Sequence, residues 1–522
     1  MTMRTYEEYR EKLVKMKPNI WIGNEKVGRD DPRIQGGMNI IRVSYDCAYD
    51  PEFEDLCTAT SHLTGEKINR FTHIHQNIDD LLKKQRMTRV LCHRVGGCIQ
   101  RCMGIDALNA VSVITYELDQ ALGTDYYQRF EAYMRYFQEN DLTASCASTD
   151  AKGDRSKRPH EQENPDAYLR VVETRDDGII VRGAKQCITN TPYVDEIIAV
   201  PCRFMGPEDK DYAVAFALPG DWDGVKLLAR PGYFKVPKNV PEDMKVKTLE
   251  IGDVETFIIF DDVFVPNERV FLNGQADPRQ TPYAGFLALM FAHYHRHSYT
   301  GCKPAISEIL ASAAALVAEY NGIESTTHVR DKLSHLIGTA ELVFAAGESS
   351  AYHSEKSPSG TQVPDEILTN AGRRLAGENI YEEYKIVADL AGGLIATLPF
   401  IETFFDDEVG PLAMKYMQRN PKVKPINVLK CFKGLECMAC SDLGGVLQVA
   451  GLHGGGSPQM ETIAMMGRYD VKKLKNISKY LFGIKSKLHR YERSETPVTP
   501  RKLLERFKKA LIAKEKREKK KS

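Results

Sequence analysis

The chain has 522 residues, and 71 lysines and arginines balance 71 aspartates and glutamates, so no global field points to nucleic acid or to an anionic membrane. No unbroken run of about eighteen apolar residues appears, so no span across a bilayer is expected, and the opening MTMRTYEEYREKLVKMKPNIWIG has no apolar secretory core. The expectation is a cytoplasmic protein without membrane or nucleic-acid partners, whose 12 cysteines are reduced thiols or metal ligands rather than a disulfide framework.

Residues 1–140 read as an N-terminal helical domain, with apolar residues at three- and four-residue spacing. Within it lies LCHRVGGCIQRCMGIDA. Read as helix, Cys98 and Cys102 project from one face, with Cβ atoms roughly 5–6 Å apart. Such a pair is either two core thiols or half of a metal site, and CxxxC alone does not decide.

Residues 141–282 change texture and read as a middle β domain. AYLRVVETRDDGIIVRGAKQCIT predicts a hairpin around DDG, and YVDEIIAVPCRF, YAVAFALPG and ETFIIFDDVFVP predict further strands. The polar loop TASCASTDAKGDRSKRP sits at the junction with the helices. It is either a linker or one wall of a flavin groove, with Thr149, Asp150, Lys152, Asp154 and Arg155 as contacts and Lys152 and Arg155 available to a pyrophosphate. No GxGxxG follows a predicted strand, so a Rossmann site has no support.

Residues 283–490 return to long helical patterns, a C-terminal bundle. FAHYHRHSYTGCKP, residues 291–304, places His295, Tyr299 and Cys302 at i, i+4 and i+7, on one face, with Lys303 beside them and His293 and His297 pointing elsewhere. CFKGLECMAC reads as core packing rather than a second metal site. ADLAGGLIATLP, with Gly392 and Gly393, and GLHGGGSP are each either a helix-end turn or a place where backbone approaches a flavin. Residues 491–522 form a basic tail, read as a solvated appendage.

Joined across the chain, Cys98, Cys102, Cys302 and His295 supply three thiolates and one imidazole, enough to close one [4Fe-4S] cluster. A histidine in place of the fourth cysteine raises the potential and leaves one iron open to an oxygen ligand. With these residues, CIQRC at 98–102, TDAKGDRS at 149–156, GAKQCIT at 183–189, ETFIIFDDVFVPNERVF at 255–271 and HRHSYTGCK at 295–303 resemble the 4-hydroxybutyryl-CoA dehydratase/vinylacetyl-CoA Δ-isomerase family. That family lies in the superfamily of flavin-dependent 4-hydroxyphenylacetate 3-monooxygenases.

The resemblance implies an α+β, acyl-CoA dehydrogenase-like fold with an N-terminal helical domain, a middle β-barrel domain and a C-terminal helical bundle. It implies FAD held near Thr189, Gly392 and Gly393, an acyl-CoA substrate, and a homotetramer built as a dimer of dimers. The cluster ligands fall on Cys98, Cys102, His295 and Cys302, and residues important to turnover on Gln100, Thr189, Glu255, Tyr299 and Lys303. The implied reaction is a radical dehydration, with the flavin as one-electron partner and the cluster iron as Lewis acid; His295 is the base, released from iron as substrate enters, and Tyr299 and Lys303 either protonate the leaving hydroxyl or tune the cluster.

One departure stands out. Where the family carries an active-site glutamate before HGxGSPQ, this chain has Ala450 or Gly451, and Glu461 is almost three helical turns further on. Either another group does its job, or the chain acts on a different hydroxyacyl-CoA, or it performs only part of the chemistry; an inactive paralogue and an aromatic monooxygenase are the alternatives from other classes, although a monooxygenase has no use for four cluster ligands.

Overall fold

The computed structural model describes residues 3–232, 241, 244 and 246–490; the basic tail lies outside the described residues. The first part of the chain runs α1 (Tyr6–Val14), β1 (Ile20–Ile22), β2 (Glu25–Val27), α2 (Pro32–Tyr49), α3 (Ile78–Val95), α4 (Cys102–Leu122) and α5 (Tyr126–Glu139). Caps account for several boundaries. Thr5 and Glu8 form a capping box on α1, Asn77 caps α3 through the Asp80 amide, and Gly96 ends α3 in the left-handed conformation at φ +63°.

That glycine corrects one expectation. The stretch from 96 to 101 is not helical, Cys98 lies in the connector, and α4 begins only at Cys102. A second glycine at 97 follows the αL cap, and Gln100 itself adopts φ +60°, so the 3.6-residue register does not carry through.

The middle region runs β3 (Ala144–Ala147), β4 (Arg170–Thr174), β5 (Gly178–Thr189), β6 (Glu196–Ala199), β7 (Val214–Pro219), β8 (Val225–Pro231), β9 (Val254–Pro266) and β10 (Val270–Asn273). The DDG hairpin is present, with Thr174 opposite Ile179. A six-stranded sheet has the order β2-β1-β8-β9-β5-β4, and a four-stranded sheet the order β10-β7-β6-β3. Phe216 of the small sheet packs edge-on against Phe260 of the large one, ring centroids 5.6 Å apart.

The expected β-barrel is therefore corrected: among the described residues the strands of the middle region, with β1 and β2, form two open sheets. β9 carries two register shifts, between Thr256 and Ile258 and between Phe260 and Val263, which bend it without joining the sheet edges. The N-terminal region is also not purely helical, because β1 pairs in parallel with β8, Ile20 opposite Leu227.

The last part contains α6 (Thr281–Asn321), α7 (Thr327–Tyr352), α8 (Glu366–Ala391), α9 (Pro425–Cys440), α10 (Asp442–His453) and α11 (Pro458–Arg468). The 41-residue α6 is the axis of the molecule. Residues Pro278–Asn321 are long and apolar enough to span a bilayer by composition, but 67% of the qualifying stretch is buried in the protein. Pro304 lies inside α6 and cannot donate to the carbonyl of Thr300. Gln85 of α3 supplies the missing donor, its Nε2 3.0 Å from Thr300 O and 2.8 Å from Phe344 O. The close approach needs Gly301, where a Cβ would stand 2.4 Å from Gln85 O. The proline turn of α6 is thus locked to the helix that leads to Cys98.

Candidate active site

α6 presents His295, Tyr299, Cys302 and Lys303 on the expected side, and the α3–α4 connector brings Cys98 and Cys102 to them. The Cys98 sulfur has the thiols of Cys102 and Cys302 as its neighbours. These contacts hold Cys98 well below the ordinary thiol range, and they push Cys102 and Cys302 up together with burial. The Gln100 amide donates to Cys98 Sγ at 3.4 Å, made possible by its left-handed backbone. Gln100 is anchored in turn: its carbonyl accepts from Asn190 Nδ2 at 2.7 Å and its Oε1 from the Tyr193 hydroxyl at 2.6 Å.

His295 stacks on Phe291, with centroids 5.5 Å apart and planes 11° from parallel, and meets Tyr299 edge-on at 5.0 Å. Its Nδ1 is 3.0 Å from the buried Asp106 carboxylate, which leaves Nε2 as the nitrogen free for a metal. The ligand atoms of Cys102, Asp106 and His295 lie within 4.8 Å of one another. Asp106 is already engaged by Lys84 and by Ser298 Oγ at 2.9 Å, so its role is to orient His295. Three convergent thiols and an imidazole with one committed nitrogen fit the four protein ligands of an iron–sulfur cluster.

The other expected residues divide into two groups. Thr189 and Glu255 face each other across β5 and β9, and the Thr189 hydroxyl donates to Glu255 Oε1 at 2.7 Å. Burial raises the Glu255 carboxyl, which also feels Cys98. Tyr299 donates to Ala450 O at 3.2 Å, and Lys303 Nζ is buried without a hydrogen-bond partner among the described residues. Burial lowers that ammonium to about 8.

The 149–155 loop is less uniform than expected. Lys152 is half-buried, and Asp154 and Arg155 are exposed, while Thr149 takes a backbone bond from Gln186. Asp150 is buried in an ion pair with Lys185 at 2.8 Å and accepts from the Leu169 amide, a structural task in the β region. Gly392 and Gly393 form the exposed turn that closes α8, with open space where a Cβ would stand.

The segment that lacks the glutamate does line the site. A Cβ on Gly451 would stand 3.1 Å from Lys303 Nζ, and one on Gly454 would stand 1.4 Å from the Tyr299 oxygen. Glu461, dismissed on sequence distance, is returned by the fold. It is fully buried 3.7 Å from Arg373, whose guanidinium lies 4.5 Å from the centroid of the Tyr299 ring. Sequence reasoning missed Asp106 and Arg373. Asp106 had a usable signal, because it is four residues after Cys102 on α4; Arg373 had none.

By sequence and fold the chain falls first in a broad class. Models of the N-terminal and C-terminal parts of 4-hydroxyphenylacetate 3-hydroxylase match residues 5–272 and 284–483. The oxygenase component of 4-hydroxyphenylacetate 3-monooxygenase complexed with FAD shares the fold at a TM-score of 0.81, with 23% identity over 92% of this chain and 98% of that one. Within that class two relatives are nearer. The 4-hydroxybutyryl-CoA dehydratase/vinylacetyl-CoA-Δ-isomerase of Clostridium aminobutyricum is 36% identical over 92% of this chain and 100% of its own. An oxygen-tolerant archaeal 4-hydroxybutyryl-CoA dehydratase from N. maritimus superposes with a TM-score of 0.87 at 33% identity, covering 94% of this chain and 97% of that one. The chain belongs to the 4-hydroxybutyryl-CoA dehydratase/vinylacetyl-CoA isomerase family of enzymes.

Proposed function

We propose that this chain dehydrates 4-hydroxybutyryl-CoA to crotonyl-CoA and isomerises vinylacetyl-CoA, using FAD and a [4Fe-4S] cluster. The observation that carries the reading is the convergence of Cys98, Cys102, Cys302 and His295 beside Tyr299 and Lys303. When bound, the flavin supplies one-electron exchange and the cluster an iron open to an oxygen ligand.

The residues of the chain then have separable tasks. Asp106 fixes the His295 tautomer and directs Nε2 into the site, where that nitrogen would be the cluster ligand and, once released from iron as substrate enters, the proton acceptor. Tyr299 and Lys303 hold protons on the same helix face, for the hydroxyl that leaves. The Thr189–Glu255 pair belongs to the flavin side, with Thr149, Lys152, Asp154, Arg155, Gly392 and Gly393 as further cofactor contacts. Asp150 supports that wall through Lys185 rather than by direct contact. The assembly is a cytoplasmic homotetramer, a dimer of dimers, and light scattering of the flavin-loaded protein should give about four times the chain mass; a monomer would overturn that part.

Anaerobically purified protein should hold about four iron and four labile sulfide per chain with one FAD, and should convert 4-hydroxybutyryl-CoA. Well-folded protein without iron removes the cluster reading. A second reading, a related hydroxyacyl-CoA with a different acyl chain, is favoured by Gly451, which leaves no carboxylate beside Lys303 on α10. It would appear as an intact cluster with turnover only of another hydroxyacyl-CoA.

A further inference from the structure

A groove of about 920 Å³ opens between α2, the C-terminal end of α3, residues 247–251, α6 and α9. Its lining mixes apolar side chains with several charges of both signs. Arg42 is paired with Asp46 at 2.9 Å, and His93 with Glu308 at 2.6 Å. Arg94, Lys247 and Lys430 also line it and face no carboxylate within ion-pair distance among the described residues. Arg94 is held in place over the Phe53 ring, 4.1 Å from its centroid. Against these three cations stands, among the described residues, the single unpaired lining carboxylate of Glu250. The groove therefore presents a net positive surface.

Two chain segments run from this groove directly into the site. Arg94 and Gly96 line the groove, and Cys98 follows; four residues span at most roughly 14 Å. On the other wall, Lys247, Thr248 and Ile251 line the groove, and the same segment continues to Glu255. Apolar side chains pack on the first of these segments. A Cβ on Gly96 would touch Ile251 at 3.5 Å, and one on Gly97 would press on Leu447 at 3.3 Å. None of the residues of the 149–155 loop lines this groove, so it is separate from the expected flavin wall.

The geometry points to this groove as the seat of the phosphorylated adenosine end of the CoA thioester, with Arg94, Lys247 and Lys430 binding its phosphates. The pantetheine arm then follows the 94–98 and 251–255 segments to the cysteine site. The inference rests on the acyl-CoA reading above. Flavin pyrophosphate shares the same anion chemistry, so the test must separate the two sources.

Calorimetry on the iron- and FAD-loaded protein, titrated with CoA and with dephospho-CoA, decides it. Wild type should bind CoA more tightly than dephospho-CoA, and Arg94→Glu or Lys430→Glu should each weaken CoA by about tenfold, with FAD content and thermal melting retained. The milder Arg94→Gln and Lys430→Gln variants should weaken it in the same direction, which keeps the test open if a charge reversal fails to fold. A CoA affinity changed by less than about twofold in these variants, with wild type binding CoA, overturns the groove and leaves the dehydratase reading standing. FAD loss with unchanged CoA affinity also overturns it, by giving the groove to the flavin. Wild type that binds neither CoA nor 4-hydroxybutyryl-CoA removes both readings.

Discussion

His295 faces two demands at once: Nδ1 is committed to Asp106, while the ring is pinned between Phe291 and Tyr299. A ring fixed this firmly presents Nε2 in one direction only, which suits a ligand and a proton acceptor alike. Replacing His295 by Cys preserves a thiolate set for the cluster but removes the imidazole. The expected outcome is near-normal iron and FAD content with 4-hydroxybutyryl-CoA turnover reduced at least about a hundredfold, as for loss of a positioned acid–base group. Substantial turnover with an intact cluster would exclude His295 from the chemistry. At the same scale, Gly454 is explained by contact rather than by backbone conformation, since a Cβ there would collide with the Tyr299 oxygen.

Between elements, α3 and α6 matter most, because one leads to Cys98 and the other carries His295 and Cys302. Besides Gln85 and Gly301, an ion-pair cluster joins them: Glu308 on α6 receives Arg89 and His93 of α3, and Arg89 also meets Glu341 of α7 at 2.9 Å. Hydrogen bonds from His93 and Arg89 outweigh burial and hold the Glu308 carboxyl down to about 2, against an ordinary 4.5. A depressed carboxylate stabilises the fold fully above pH 4.5, and that contribution is lost as pH falls from 4.5 towards 2. Urea unfolding of wild type should therefore weaken more steeply over that window than unfolding of Glu308→Gln. Parallel acid limbs for the two proteins would show that this cluster does not tie the helices.

For the whole molecule, the N-terminus is bolted to the β region rather than set apart from it. Arg4 donates to both Asp195 oxygens, at 3.0 and 2.7 Å, and to the Tyr45 hydroxyl at 2.7 Å, while β1 extends the six-stranded sheet. Asp195 is buried, with Lys12 3.1 Å away and the Thr143 amide also donating to it. Removing Arg4 leaves this carboxylate short of its main counter-charge. Arg4→Met should cost about 3 kcal/mol in chemical denaturation, at the low end for a broken buried pair because Lys12 remains. A cost indistinguishable from zero would mean that the N-terminal segment is not integrated into the core.

Periodicity determined the long helices, alternation and DDG the hairpin, and the i, i+4, i+7 spacing the crowded face of α6, because these patterns are local and repeat within a few residues. The residue types of the proposed ligand set were also legible from sequence. Tertiary structure alone decided how they meet. Cys98 reaches Cys302 from a connector made by Gly96 and Gly97, not from a helix face, and a left-handed Gln100 aims its amide at the sulfur. Arg373 comes to Tyr299 from α8 with Glu461 of α11 behind it, far away in sequence, and the strands of the middle region settle into two open sheets rather than a barrel. Local spacing sets which side chains share a face. Which faces then meet depends on long-range packing and on where the backbone breaks, and no window of a few residues contains that information.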